Sequence, residues 1–305
     1  MLKLPVIVAP MFLVSTPEMV IESGKAGVIG TFPLLNARPV SACAEWLQRV
    51  KDELGDKPWG VNFICHQKAN QRYADDLELI RKYEPPIVIT SLGHPGDVTE
   101  VVHAYGGKVY SDVAHIKHAK KAAQSGVDGL ILVCSGAGGH GGLLNPFAFV
   151  SAVKKFYDGK IILSGAISSG ADVVAALAMG ADYAYIGTRF LAAEESAAFD
   201  DYKQMVIDST IEDVVYTDKI SGIHANFLAP SLAKQGVDLN DLDGGGKLNF
   251  SGEEEVKAWR DAWSAGQGVT NVTGRETVAE IVEKLYTEYE ETIARLSEQR
   301  SGIAH

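Results

Sequence analysis

One histidine sits inside an octet of small residues, Ser135-Gly136-Ala137-Gly138-Gly139-His140-Gly141-Gly142, directly after the apolar run Gly129 to Cys134. Glycine lets a backbone come close to a flat ligand, and a lone imidazole among glycines is placed to hold or move a proton. The pattern points to a cofactor site with His140 as its acid or base. A mobile surface turn with an incidental histidine is the competing reading, and the rest of the chain has to separate the two.

Two further small-residue stretches could bind an anion. Ser164-Gly165-Ala166 runs into Ser168-Ser169-Gly170, and Gly187-Thr188-Arg189 follows another apolar run. Such turns expose backbone N–H groups and hydroxyls near a helix start, as phosphate sites do, although tight turns also need glycine. Ala9-Pro10-Met11 could line one edge of a ring or be a plain strand exit. Asn62, within Val61-Asn62-Phe63, offers an amide that can bond a heterocycle or cap a turn. Asp112 either faces the ligand or caps the helix that follows.

Other chemistry-bearing residues give weaker patterns. The remaining histidines lack metal-ligand spacing, and His115 and His118, three apart among lysines, read as a solvated helix face. Aligning Gly244 at position six of a calcium loop puts Leu239 at one and Phe250 at twelve, so no such loop and no metal site is expected. Cys43, Cys65 and Cys134 are isolated and read as reduced, packed thiols, Cys134 with some chance of reactivity beside the glycine loop.

The elements that must position these residues alternate regularly. Apolar runs at Val6 to Ala9, Val28 to Thr31, Trp59 to Ile64, Ile87 to Thr90, Lys108 to Ser111, Gly129 to Val133, Ile161 to Ser164 and Tyr183 to Ile186 are separated by amphipathic stretches. Eight strands with crossover helices predict an α/β fold, a (β/α)8 TIM barrel over residues 1–197. An open doubly wound sheet lacks its G-x-G-x-x-G after the first strand. Beyond the barrel, residues 198–258 show no clear strand rhythm and read as a substrate-capping lobe or lid. Residues 259–305 read as a C-terminal segment whose helix, Glu276 to Leu296, packs back through Val278, Ile281, Val282, Leu285, Tyr289, Ile293 and Leu296.

Composition narrows the partners. With 28 basic and 39 acidic residues the net charge is −11, which argues against nucleic acid. No apolar stretch reaches the ~18 residues of a membrane helix, and the proline-broken start does not read as a signal peptide. A cytoplasmic protein without membrane or nucleic-acid partners is expected, and a homodimer is permitted but not demanded.

Together these motifs resemble the nitronate monooxygenase family, FMN-dependent (β/α)8 barrels. The carriers are Ala9-Pro10-Met11, Gly60-Val61-Asn62-Phe63, Ala137-Gly138-Gly139-His140-Gly141-Gly142, Ser164-Gly165-Ala166-Ile167, Gly180-Ala181-Asp182 through Ala192, and Trp263-Ser264-Ala265-Gly266-Gln267. The resemblance implies FMN phosphate on Ser164, Gly165, Ala166, Gly187 and Thr188, with the ring near Pro10, Met11, Asn62 and Ala137 and with Gln267 in the cofactor pocket. It implies His140 as the active-site histidine, and oxidation of alkyl nitronates or nitroalkanes with O2 to a carbonyl compound and nitrite. Several relatives carry lysine where Asp112 stands, which alters the charge beside the cofactor. The same motifs fit an FMN-dependent NAD(P)H reductase of enoyl-acyl-carrier or quinone substrates, or a flavin-binding accessory protein.

Overall fold

The computed structural model describes residues 1–67, 70–220, 222–242 and 260–303. Eight strands run parallel: β1 (Val6–Val8), β2 (Gly30–Pro33), β3 (Trp59–Ile64), β4 (Ile87–Ser91), β5 (Lys108–Val113), β6 (Gly129–Val133), β8 (Lys160–Ser164) and β9 (Tyr183–Ile186). Their order is β1-β9-β8-β6-β5-β4-β3-β2. A bridge between Ile7 and Ile29 closes the ring, with Val8 N–H donating to Ile29 O at 2.8 Å and Ile29 N–H to Val6 O at 3.0 Å. This is the expected (β/α)8 barrel. The second strand begins two residues later than the sequence suggests, because Val28 N–H is held by Ser23 O at the end of the preceding helix.

Helices α1 (Pro17–Ala26), α2 (Val40–Leu54), α3 (Tyr73–Tyr83), α4 (Gly96–Ala104), α5 (Ile116–Gln124), α6 (Pro146–Val153) and α7 (Gly170–Ala178) lie between the strands. Their ends carry local signals. In α1 the Thr16 hydroxyl accepts from Met19 N–H, Pro17 opens the first turn, and Gly27 closes it at φ +94°.

The period of two along a strand divides the barrel interior into layers. Ile7, Ile29, Ile89, Tyr110, Ile131, Ile162 and Tyr185 form one buried apolar cluster. Two residues on, the same strands present Ala9, Ser91, Asp112, Val133, Ser164 and Gly187, and all of these line a cavity at the carboxyl ends. The switch from bulky apolar to small or polar side chains turns a packed core into a site.

The segment after β9 departs from the sequence reading. It forms α8 (Asp200–Asp208), a hairpin of β10 (Val214–Thr217) and β11 (Ala225–Leu228), and α9 (Ala229–Lys234). A short strand β7 (Gly139–His140), inside the glycine loop, adds to this hairpin in the order β10-β11-β7. The glycine cluster at 244–246 and Asp243 lie outside the described residues, as does the rest of 243–259.

The final helix, α10 (Val278–Ile303), buries Val278, Ile281, Val282 and Leu285. Its apolar stripe packs only over that first half, since Ile293 and Leu296 are 41% and 43% exposed. No helix among the described residues is long and apolar enough to cross a membrane. Gly170 lets α7 touch α10: a Cβ there would lie 2.2 Å from Leu285 O and 2.3 Å from Tyr289 N. Gly170→Ala is expected to cost about 1–3 kcal/mol by overpacking, lowering Tm by several degrees. An unchanged thermal melt would contradict this contact.

Candidate active site

A cavity of about 1990 Å³ opens at the carboxyl ends of the strands. Pro10, Met11, Asn62, Asp112, Ala137, His140, Ser164, Gly165, Ala166, Gly187 and Thr188 all line it. Residues dispersed over most of the chain thus converge on one concave surface. Gln267 does not face it. Its neighbours Gly266 and Gly268 do, while its own side chain lies against Gly136.

The His140 loop is held from the lobe. His140 pairs with Ala225 and Gly139 with Asn226 across β7 and β11. Asn226 Nδ2 donates to Ala137 O at 2.7 Å, and the Tyr216 hydroxyl donates to Gly141 O at 3.0 Å. Ser264 Oγ accepts from Gly139 N–H at 2.6 Å and donates to Asn226 O at 2.6 Å. These bonds tie the loop's backbone to the lobe and to the C-terminal segment.

The glycines serve a packing need different from the one their sequence suggests. Gln267 N–H donates to Gly136 O at 2.9 Å. A Cβ on Gly138 would lie 2.8 Å from Gly266 N, and one on Gly266 would lie 2.5 Å from Gly136 O. Close approach of two backbones, loop 136–138 and segment 264–267, therefore requires the missing side chains. The Trp263-to-Gln267 stretch is a structural partner of the histidine loop.

At the other wall, Gly165 and Ala166 turn through φ +125° and +56°. The helix that follows is already capped. Asp172 Oδ2 accepts from Ser168 and Ser169 N–H at 2.9 Å each, and Glu288 accepts from Gly170 N–H at 2.7 Å. The small-residue turn itself, rather than the first turn of α7, is the backbone presented to the cavity. Thr188 Oγ1 accepts from Gly266 N–H at 2.8 Å, joining the eighth barrel strand to the same C-terminal segment.

A polar relay crosses the floor. Asn62 Nδ2 donates to Ser91 Oγ at 2.7 Å, and Ser91 Oγ donates to Asp112 Oδ2 at 2.5 Å. Asp112 Oδ1 is buried and has no hydrogen-bond partner among the described residues. Asp112 therefore faces the site and does not cap α5. Burial pushes its carboxyl up to about 6, against the opposing bond from Ser91. Burial likewise pushes the His140 imidazole down to about 4. At neutral pH His140 is an uncharged ring that can both donate and accept.

Sequence reasoning missed Ser91, Tyr216, Asn226 and Ser264. A signal existed for the lobe, since Val214-Val215-Tyr216-Thr217 is a β-branched and aromatic run typical of a strand. Nothing in sequence showed which strand it would meet. Among the described residues no group of three or more His, Cys, Asp and Glu is placed to hold a metal ion. All three cysteines are buried, and burial pushes the Cys134 thiol up to about 12, so it is a packed thiol and no nucleophile.

The family model for nitronate monooxygenase matches residues 30–242. The chain belongs to the nitronate monooxygenase family. A nitronate monooxygenase of Paraburkholderia phytofirmans is 25% identical, over 96% of this chain and 94% of that one. A (3aS,4S,5R,7aS)-5-hydroxy-7a-methyl-1-oxo-octahydro-1H-indene-4-carboxyl-CoA dehydrogenase of Rhodococcus jostii is 28% identical, over 80% of this chain and 66% of that one. FabK from Thermotoga maritima superposes with a TM-score of 0.80 at 24% identity, covering 98% and 96% of the two chains. Nitroalkane oxidase from Streptomyces ansochromogenes gives 0.79 at 22%, covering 96% and 97%. These two structures show the shared fold. As a family member the chain is an oxidoreductase.

The two displaced pKa values have opposite consequences for stability. Between about 4 and 6.5 the unfolded chain binds a proton that folded His140 does not, so that contribution is full above 6.5 and lost as pH falls toward 4. Asp112 in the folded protein keeps a proton that the unfolded chain loses between 3.8 and about 6, so its contribution is lost as pH rises through that window. Removing the second term with Asp112→Asn should make the variant's Tm, relative to the parent, climb from pH 4 to 6. A pH-independent difference in thermal melts would contradict the raised carboxyl.

Proposed function

We propose that the protein is an FMN-dependent enzyme that oxidises alkyl nitronates with O2 to a carbonyl compound and nitrite. The observation that carries this reading is the neutral, partly buried His140, fixed by the lobe at the wall of the same cavity as the two small-residue turns. A bound FMN would supply the electron acceptance. Its phosphate would be held by Ser164, Gly165, Ala166, Gly187 and Thr188, whose turns offer backbone and hydroxyl groups without a cation. Pro10, Met11, Asn62 and Ala137 would border the ring. The buried Oδ1 of Asp112, without a partner among the described residues, supports the fit, because such an oxygen calls for a polar partner. Gln267, whose amide lies against Gly136, would support the loop that borders the cofactor.

The titration of His140 favours a preformed nitronate over the parent nitroalkane. A ring whose conjugate acid has been pushed down to about 4 is a weak base, poorly matched to removing a carbon-bound proton. As a neutral N–H donor it can orient an anionic nitronate. The anion in turn would favour a protonated ring and so tighten the pair. In this role His140 orients the substrate.

A second reading, an FMN-dependent NAD(P)H reductase acting on enoyl-thioester or quinone substrates, is supported by the fold shared with FabK from Thermotoga maritima over 98% of this chain. Two assays separate the readings. Aerobic turnover of propyl-2-nitronate by the yellow protein is expected to release nitrite, more rapidly than 2-nitropropane does, and no nitrite would overturn the first reading. Anaerobic mixing with NADH or NADPH that bleaches the flavin rapidly would establish the second. His140→Ala is expected to lower kcat/KM for the nitronate by about 10²-fold or more; an undiminished value would remove His140 from the chemistry.

A further inference from the structure

The polar relay on the cavity floor has a direction. Asn62 Nδ2 donates to Ile89 O at 3.3 Å as well as to Ser91 Oγ at 2.7 Å, and a backbone carbonyl can only accept, so this end of the amide is its nitrogen. Ser91 Oγ, already an acceptor from Asn62, has its single proton left for Asp112 Oδ2 at 2.5 Å. Oδ2 is thus held as an acceptor. A proton carried by this carboxyl belongs on the other oxygen, Oδ1, which is buried without a partner among the described residues. Asp112 is also the only carboxylate among the described residues that lines the cavity.

No cation among the described residues pairs with Asp112, and burial acts on it against the single bond from Ser91. The titratable side chains that feel its charge are Cys65, after β3, and Tyr185, on β9. Burial pushes the Cys65 thiol up to about 12 and holds the Tyr185 hydroxyl well above its ordinary range, so both stay uncharged around neutral pH. On β6 the residue paired with Asp112 is the apolar Ile131. His140 shares the cavity and is itself uncharged there. A phosphate-bearing ligand entering this cavity removes further water and adds negative charge. Both effects favour the neutral acid over the carboxylate.

We propose that Asp112 binds the cofactor as its neutral acid, with the proton on Oδ1 donated to an acceptor atom of FMN, and that the Asn62–Ser91 relay fixes which oxygen holds that proton. The inference rests on the FMN reading given above. Each binding event then takes one proton from solvent wherever the free protein holds a carboxylate. The opposite arrangement, a carboxylate accepting from a hydroxyl or N–H of the same cofactor, takes up none. The two differ in sign. In the first, FMN binds more weakly as pH rises, by up to about tenfold per pH unit, because the carboxylate must regain its proton. In the second, FMN binds more tightly as pH climbs through the carboxyl's titration.

The test is the FMN dissociation constant between pH 5 and 8, read from the flavin fluorescence released on diluting the loaded protein, for the parent and for Asp112→Asn, whose amide offers a permanent N–H donor. The ratio of parent to variant Kd is expected to rise about fivefold or more from pH 6 to pH 8. The cavity histidines and the FMN phosphate are common to both proteins and cancel in that ratio. Ser91→Ala removes the bond that favours the charged carboxyl, so it should move the onset of the parent's rise to higher pH, a shift that a merely structural role would not produce. If Asp112→Asn is not folded by circular dichroism, the Ser91→Ala profile decides, and an unshifted onset overturns the proposal. A parent-to-variant ratio that stays flat, or falls as pH rises, overturns it and leaves the FMN reading in place. No FMN bound at any pH overturns both.

Discussion

The antiparallel pairing of Gly139–His140 with Ala225–Asn226 is the constraint on which the site depends. A loop of five glycines in eight residues has too much conformational freedom to hold a side chain on its own. Here its backbone groups are taken up by a strand, by the Asn226 amide and by the Ser264 and Tyr216 hydroxyls. Those partners come from the lobe and the C-terminal segment, so the barrel alone does not complete the site. The sequence separation, more than 80 residues between His140 and Ala225, puts the cost of ordering this loop on the folding of the whole chain.

Around that anchor, the alternation of the strands sets the electrostatics. Apolar residues fill the barrel below, which keeps water and counter-charges away from the layer above. Loss of water disfavours the charged form of both titratable groups in this layer: His140 loses its proton readily, and Asp112 keeps its own up to about 6. A neutral imidazole and a carboxyl tied to Ser91 and Asn62 confront the ligand with hydrogen-bonding groups.

Much of the barrel was legible in the chain because its signals are local. Strand runs such as Trp59–Ile64 and Gly129–Val133 have the boundaries their apolar patterns suggest. Local pattern and structure part where a residue answers to a distant partner. Val28 and Ile29 look like strand but are engaged by a helix end and the closing bridge. Ile293 and Leu296 continue a helical stripe for which α10 has no surface left to cover. The lobe shows no clear strand rhythm in sequence because β10 and β11 are four residues each, and β11 gains its role only by meeting the histidine loop.

What the sequence determined by itself was the fold class and the set of residues at the strand ends, because period-two alternation and loop position fix which side chains reach the mouth of a barrel. Motif resemblance carried the family. The tertiary structure decided the rest. It set the Gln267 side chain against Gly136, made Ser91 the partner of Asp112, and gave the loop glycines to backbone packing against Gly266. It also brought six histidines from scattered positions to the lining of one cavity. These outcomes depend on distances between segments far apart in the chain, and on the loss of water where they meet. Neither is encoded in any short stretch of residues.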